Sequence, residues 1–324
     1  SMIDVMKFAD SWWIAFLYIG TFGSFIGFSF AFGQVLQINF LAGLTDGAPA
    51  TPAQQAQASL SAAQIAFIGP LLGSISRPYG GKLADKIGGG KITLYTFVAM
   101  VFSTGLLVVA GTWHDNTAGA ATGTMMVLFV VGFILLFLLS GIGNGSVYKM
   151  IPAIFAAKSV ELKGMTVDEQ QHWSRRMSGA LIGIAGAVGA LGGVGINLVL
   201  RASYSGEAKS ATTAFWVFLI FYVVCLAITW AYYTMRAWTS LVGKSTFNET
   251  FFKVVFCLFT VLGAVVDLGS VLSFADAMLF VCAIFNLLAC YLLLPKVREE
   301  MRSFLDGIRS GEISEVPVEE RATT

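Results

Sequence analysis

The sequence predicts an all-α polytopic membrane protein with about eight transmembrane helices. Of its 324 residues, 56% are hydrophobic and 12% charged, whereas a soluble domain carries about 25% charged residues. Mean hydropathy is +0.76. Eight apolar runs reach the roughly 20 residues that a helical crossing needs. They lie near 10–40, 62–84, 92–111, 122–156, 177–200, 211–235, 253–272 and 276–295. Lysine and arginine, finally, collect in alternate loops.

The first run, 10–40, is too long for one straight crossing, so it tilts or projects. The stretch 41–61, rich in Ala, Gln, Thr and Ser, is expected to be a loop, as are 112–121 and 202–210. The second run carries Arg77 among glycines, in Gly73-Ser74-Ile75-Ser76-Arg77-Pro78-Tyr79-Gly80-Gly81. Intramembrane arginine is expensive and faces a cavity or a partner unless it snorkels to the interface. The interiors of the first six spans offer it no carboxylate, and its planar fork of donors suits a small planar anion. Lys149, toward the end of the long fourth run, reads as a snorkelling residue. The fifth run holds seven glycines between Gly179 and Gly195. At about 100° per residue, Gly179, Gly183, Gly186 and Gly193 share one narrow arc. Two readings stay open: close helix packing, or a substrate path walled by bare backbone. Asp267 and Asp276 fall at or near the ends of the last two spans and read as helix-end residues rather than cation ligands.

Sixteen of the twenty basic residues lie in loops on one side, from Lys7 through Lys82, Lys86 and Lys91 to Lys296, Arg298, Arg302, Arg309 and Arg321. The other side holds Arg201 and Lys209. The positive-inside rule makes the first side cytoplasmic and places both termini there. Ser1-Met2 reads as a cloning remnant before a start, and no cleavable signal peptide is expected. The net charge of +1 gives no electrostatic footprint for nucleic acid. Cys225, Cys257, Cys282 and Cys290 have no metal-ligand spacing and read as small buried hydrophobes. No hydrolase, transferase or nucleotide-binding motif is present, and Gly88-Gly89-Gly90-Lys91 lacks the spacing of a phosphate loop. The chain is expected to be no enzyme and to need no cofactor.

The loop Gly81-Lys82-Leu83-Ala84-Asp85-Lys86-Ile87-Gly88 resembles the short glycine–acid–basic cytoplasmic loop of the major facilitator superfamily. Within that superfamily, the glycine ladder resembles the second nitrate signature of the nitrate/nitrite porters. Tyr18-Ile19-Gly20-Thr21-Phe22-Gly23 resembles the start of their seventh helix, and Gly69-Pro70 through Gly81 their eighth. Gly141-Ile142-Gly143-Asn144-Gly145-Ser146-Val147-Tyr148-Lys149-Met150-Ile151-Pro152 resembles the tenth, and Phe218-Leu219-Ile220-Phe221-Tyr222 the twelfth. The resemblance covers roughly residues 8–234. It implies the six-helix C-terminal half of that fold, with nitrate or nitrite as the substrate. It also implies roles. Arg77 clasps the anion, Phe22 sandwiches it, Tyr18 places a hydroxyl nearby, and Gly189 and Gly192 line the path. The family takes a second arginine, a second aromatic and an asparagine from an N-terminal half that this sequence does not contain.

Residues 231–313 resemble instead the end of the alanine/glycine:cation symporter family, through Val261-Leu262-Gly263 to Met278, then Asn286 and Pro295-Lys296-Val297-Arg298-Glu299-Glu300. The chain thus reads as a chimera: a half transporter over 1–235, a cytoplasmic linker over 236–252, two additional helices over 253–296 that pack peripherally, and a cytoplasmic tail over 297–324. Three functions remain open. One is nitrate/nitrite transport across a bacterial cytoplasmic (inner) membrane, with a separate N-terminal half or a second copy as partner. The others are an amino-acid:cation symporter fragment and a non-transporting membrane fragment.

Overall fold

The structure, a computed structural model, describes residues 2–45, 48–113, 123–162, 164–206, 209–243, 245–266 and 268–310. These residues are helical almost throughout, with no strand among them. Eight helical stretches are long and apolar enough to cross a membrane, so the chain is an all-α integral membrane protein. It divides into two compact units, residues 1–241 and 242–324.

The first unit opens with a short helix α1 (Met2–Met6) and a long helix in three parts: α2 (Ala9–Tyr18), a π-helical turn (Ile19–Gly23) and α3 (Ser24–Thr45). Then come α4 (Pro52–Ala66), α5 (Ile68–Ile87), α6 (Gly89–Trp113), α7 (Thr124–Glu161), α8 (Val167–Ser205) and α9 (Thr212–Val242). Two apolar cores hold it together. One joins α3, α6, α7 and α9 through Phe28, Phe32, Phe97, Phe133, Phe137 and Phe215. Several of its rings pack edge to face, as at Phe28–Phe133 (5.5 Å between centroids, 87°), while Phe32 and Phe133 stack at 4.8 Å. Ring quadrupoles favour edge-to-face and offset-stacked pairs. The other joins α1, α2, α7 and α8 through Val5, Ile14, Tyr18, Ile151, Phe155 and Leu181. Between α5 and α7 the contact is backbone on backbone. A Cβ at Gly80 would meet the Ile142 carbonyl, and one at Gly145 would meet the Arg77 carbonyl. Only glycine permits that approach.

The expected loop over 41–61 is a misreading. α3 runs to Thr45, and α4 fills Pro52–Ala66. Thr51 caps α4, taking the Gln54 N–H on its hydroxyl at 3.3 Å while Gln54 Oε1 accepts from the Thr51 N–H at 2.9 Å. Pro52 occupies the first turn, where its missing N–H costs nothing. Alanine and glutamine then favour helix despite their low hydrophobicity. α4 packs on α3 and buries Ala58 and Ala62.

The second unit contains α10 (Thr246–Val265) and α11 (Leu268–Arg309). Phe259 and Phe274 stack between them, with centroids 6.4 Å apart. Two boundaries move. The stretch 236–252 is helical except where α9 ends at Val242 and α10 begins at Thr246, with Gly243 at φ +92° between them. The turn expected after 272 falls before Leu268, because 270–276 contains neither Gly nor Pro to stop a helix. Asp276 therefore lies inside α11, exposed, and Asp267 is outside the described residues. α11 also continues through the first part of the expected tail. Of the cysteines, Cys225 is buried, whereas Cys257, Cys282 and Cys290 are exposed rather than packed inside.

Candidate functional site

Arg77 stands at the middle of α5, immediately before Pro78. Its Cζ lies 5.9 Å from the centroid of the Phe22 ring and 5.9 Å from that of Tyr148. The guanidinium is thus flanked by two aromatic rings, at the outer limit of cation–π attraction. Phe22 comes from the π-helical turn, and Tyr148 from α7. Tyr18, one turn before Phe22, stacks on it at 5.1 Å and 26°. Tyr18 is buried, Arg77 and Phe22 are half-buried, and Tyr148 is exposed.

The π-helical turn aims Phe22. A π turn inserts one residue into the helical repeat, so positions after it rotate relative to α2. Its two glycines sit against neighbours. A Cβ at Gly20 would lie 2.9 Å from the Phe97 ring, and one at Gly23 2.8 Å from the Gly189 carbonyl. α8 closes the other side. A Cβ at Gly189 would come within 2.9 Å of Phe22 Cδ1 and 3.1 Å of Tyr18 Cδ1. Gly189 is therefore the wall against which both rings lie. Gly192 is placed differently, facing Ile19 Cγ2 at 2.7 Å and the Gly23 Cα at 3.2 Å. It lets α8 touch the backbone of the π turn itself, beside the contact of Gly23 with the Gly189 carbonyl.

The ladder divides. Gly189, Gly192 and Gly193 pack against α2, the π turn and α3, whereas no described atom lies within 4 Å of a Cβ at Gly179, Gly183, Gly186 or Gly195. The arc read from spacing is not one packed face. Over the first half of α8 the buried apolar positions are Met177, Leu181 and Ala185, which face α1, α2 and α7, and the glycines between them point elsewhere.

No carboxylate pairs with Arg77 among the described residues. The ion pairs of this unit lie elsewhere. Lys149 Nζ meets Asp85 Oδ2 at 2.9 Å, joining α7 to the end of α5. Lys158 Nζ meets Asp10 Oδ2 at 2.7 Å, joining the end of α7 to the start of α2. Lys149 is thus a paired residue, about three turns before the end of α7 rather than at it. An apolar cavity of about 460 Å³ between α2 and α8, lined by Trp12, Phe16, Ile184 and Val188 among others, lies apart from Arg77 and has almost no polar wall. What remains at Arg77 is an uncompensated fork of donors between ring faces and bare backbone. Such a group can hold a small planar anion: two donors to two oxygens, with a ring against the flat face.

The structure thus brings Arg77, Phe22, Tyr18 and Gly189 together, and Gly192 packs on Ile19 and Gly23 of the π turn rather than on the two rings. Tyr148 was missed as a site residue. Its one sequence signal is its position one turn beyond Asn144 on the glycine-rich stretch that meets α5.

Residues 176–318 match the model of the sodium:alanine symporter family. The match begins three residues before the first glycine of the ladder, Gly179, well before residue 231. The chain is also similar to two nitrate/nitrite transporters NarU. The protein of Salmonella typhimurium is 32% identical over 73% of this chain and 46% of its own length. That of Escherichia coli is 33% identical over 72% and 46%. A nitrite extrusion protein of Bacillus subtilis is 27% identical over 62% of this chain and 39% of its own. The chain spans about half the length of the curated relatives it matches.

Proposed function

We propose that residues 8–234 are the C-terminal six-helix half of a nitrate/nitrite porter of the major facilitator type, and that Arg77 is its anion-binding residue. The observation that carries this reading is the unpaired guanidinium held between Phe22 and Tyr148. A bare cation inside a membrane is costly, and a monovalent planar anion neutralises it without adding a fixed charge. Phe22 and Tyr18 form the stacked floor, and Gly189 gives them room. The relatives named above support the substrate class, nitrate or nitrite. The bacterial relatives support an inner-membrane protein, and the distribution of basic residues supports both termini being cytoplasmic.

Half a porter offers one side of a binding site. The two halves of this fold are pseudo-symmetric parallel repeats, so the partner is a separate N-terminal half or a second copy. The chain alone should bind nitrate weakly and should not transport it. Co-reconstitution with an N-terminal half of a relative should give nitrate uptake into vesicles. Arg77→Lys should then remove most of that uptake, because a point charge cannot replace the bidentate fork. Uptake at the parental rate with lysine at 77 sinks the assignment.

A second reading has its own observation, the match of residues 176–318 to the sodium:alanine symporter family. It predicts sodium-dependent binding of alanine. Arg77, Phe22, Tyr18 and Tyr148 lie upstream of that match, and no carboxylate stands at the site among the described residues to pair with a zwitterion's ammonium group. Sodium-dependent alanine binding that survives Arg77→Lys would favour this second reading.

A further inference from the structure

Asn144 sits at the centre of α7 and is 1% exposed. Neither its Oδ1 nor its Nδ2 has a hydrogen-bond partner among the described residues. A buried polar group left unpaired costs about as much as a lost hydrogen bond or more. An apolar residue of the same size would avoid that cost. Its place in the fold is well fixed. Gly145, its neighbour, abuts the Arg77 carbonyl, and Gly143 faces Thr21 and Thr96. Tyr148, one turn later on the same face, has its ring beside the Arg77 guanidinium. Phe137, two turns earlier, packs edge to face on Phe25 at 6.3 Å. Residues four and seven apart on a helix share a face. Asn144 is therefore level with Arg77 and lies on the strip of α7 between Tyr148 and the contact with Phe25.

We propose that Asn144 is a second ligand of the Arg77 site, its amide N–H donating to an oxygen of a planar oxyanion that the arginine fork leaves free. The proposal rests on the anion-binding reading of Arg77 and adds a specificity to it. The fork takes two oxygens. Nitrate has a third, and nitrite does not. A neutral amide supplies a donor for that third oxygen without adding a second positive charge. No described protein group pairs with the amide, which leaves its N–H for the third oxygen of nitrate, so Asn144 favours the three-oxygen anion over the two-oxygen one.

The test uses the purified full-length chain and measures the rise in melting temperature with nitrate or nitrite, each against equal chloride, to give apparent dissociation constants. In Asn144→Leu the anion-free protein should melt no lower than the parent, because an unpaired amide is replaced by an apolar group of similar size. Nitrate affinity should fall about ten- to hundredfold, the worth of a hydrogen bond to a charged partner. Nitrite affinity should fall by less. Should leucine prevent folding, Asn144→Ala carries the same nitrate-to-nitrite comparison. If Arg77→Lys loses the nitrate response while Asn144→Leu and Asn144→Ala keep the parental affinities for both anions, the role of Asn144 is overturned and the arginine site stands. Equal losses for nitrate and nitrite overturn the specificity. A parent chain that does not distinguish nitrate from chloride, or an Arg77→Lys variant that responds as the parent does, overturns the arginine site and this proposal together.

Discussion

Gly186 and Gly189 lie one turn apart on α8, yet their surroundings are opposite. A Cβ at Gly189 would strike the Phe22 and Tyr18 rings, and one at Gly186 would meet no described atom within 4 Å. Gly189→Leu should destabilise the purified chain by about 1–3 kcal/mol, the cost of overpacking between close elements. Gly186→Leu should stay within about 0.5 kcal/mol, as surface changes do. Melting of the two variants side by side checks this, and equal losses would mean that α8 packs by its whole ladder. A second residue-scale prediction concerns Asp10 and Lys158, whose side chains are 20% and 25% exposed. Each also complements a helix end, the acid at the start of α2 and the base at the end of α7. Asp10→Asn should cost about 1–2 kcal/mol, between the exposed and buried limits. A double-mutant cycle with Lys158→Met should return most of that as coupling. At this scale Arg77 stands out in the sequence, because an arginine among intramembrane glycines is rare. Phe22, Tyr18 and Gly189 come only from the family resemblance, and what the structure adds is that they lie beside Arg77 or one another. Tyr148 was legible in neither way. Its ring reaches Arg77 through a contact between distant parts of the chain, and a tyrosine in an apolar helix carries no mark of its neighbours.

Among the elements, the sequence is clear where hydrophobicity alone decides and unclear where propensity or an irregular turn does. The long apolar runs became helices close to their expected places. α4 did not fit, because low hydrophobicity was read as loop when Ala and Gln at high density favour helix. Its start depends on the reciprocal cap of Thr51 and Gln54. Thr51→Ala should therefore cost about 1 kcal/mol and speed amide exchange across 53–56, while leaving α5 unchanged. Exchange at those amides indistinguishable from the parent would show that packing of Ala58 and Ala62 on α3 holds α4 without its cap. The π-helical turn at Ile19–Gly23 was invisible to any reading that assumes a uniform 100° per residue. Gly20 and Gly23 mark it only in retrospect, by what they touch. Yet that turn settles where Phe22 points, so the element hardest to read is the one that aims a site residue.

At the scale of the whole molecule, resemblance to two families meets a division into two units. The buried side chains of both cores in the first unit come from within residues 1–241. Core packing contributes most of the favourable free energy of folding, so a chain ending at Val242 keeps every buried contact of the arginine site. The same argument gives no such independence to α10 and α11, whose large apolar side chains, among them Phe247, Leu258, Phe280 and Leu292, are exposed and need lipid or protein to cover them. Residues 1–242 in detergent should accordingly be monodisperse and melt within a few degrees of the full chain. Their nitrate response should match the full chain's, and Arg77→Lys should abolish it in both. Residues 243–324 expressed alone should enter the membrane by hydrophobicity yet show no nitrate response. If the shorter chain folds but no longer distinguishes nitrate from chloride while the full chain does, the second unit contributes to the anion site, and the reading of Arg77 as part of a self-contained half must be abandoned.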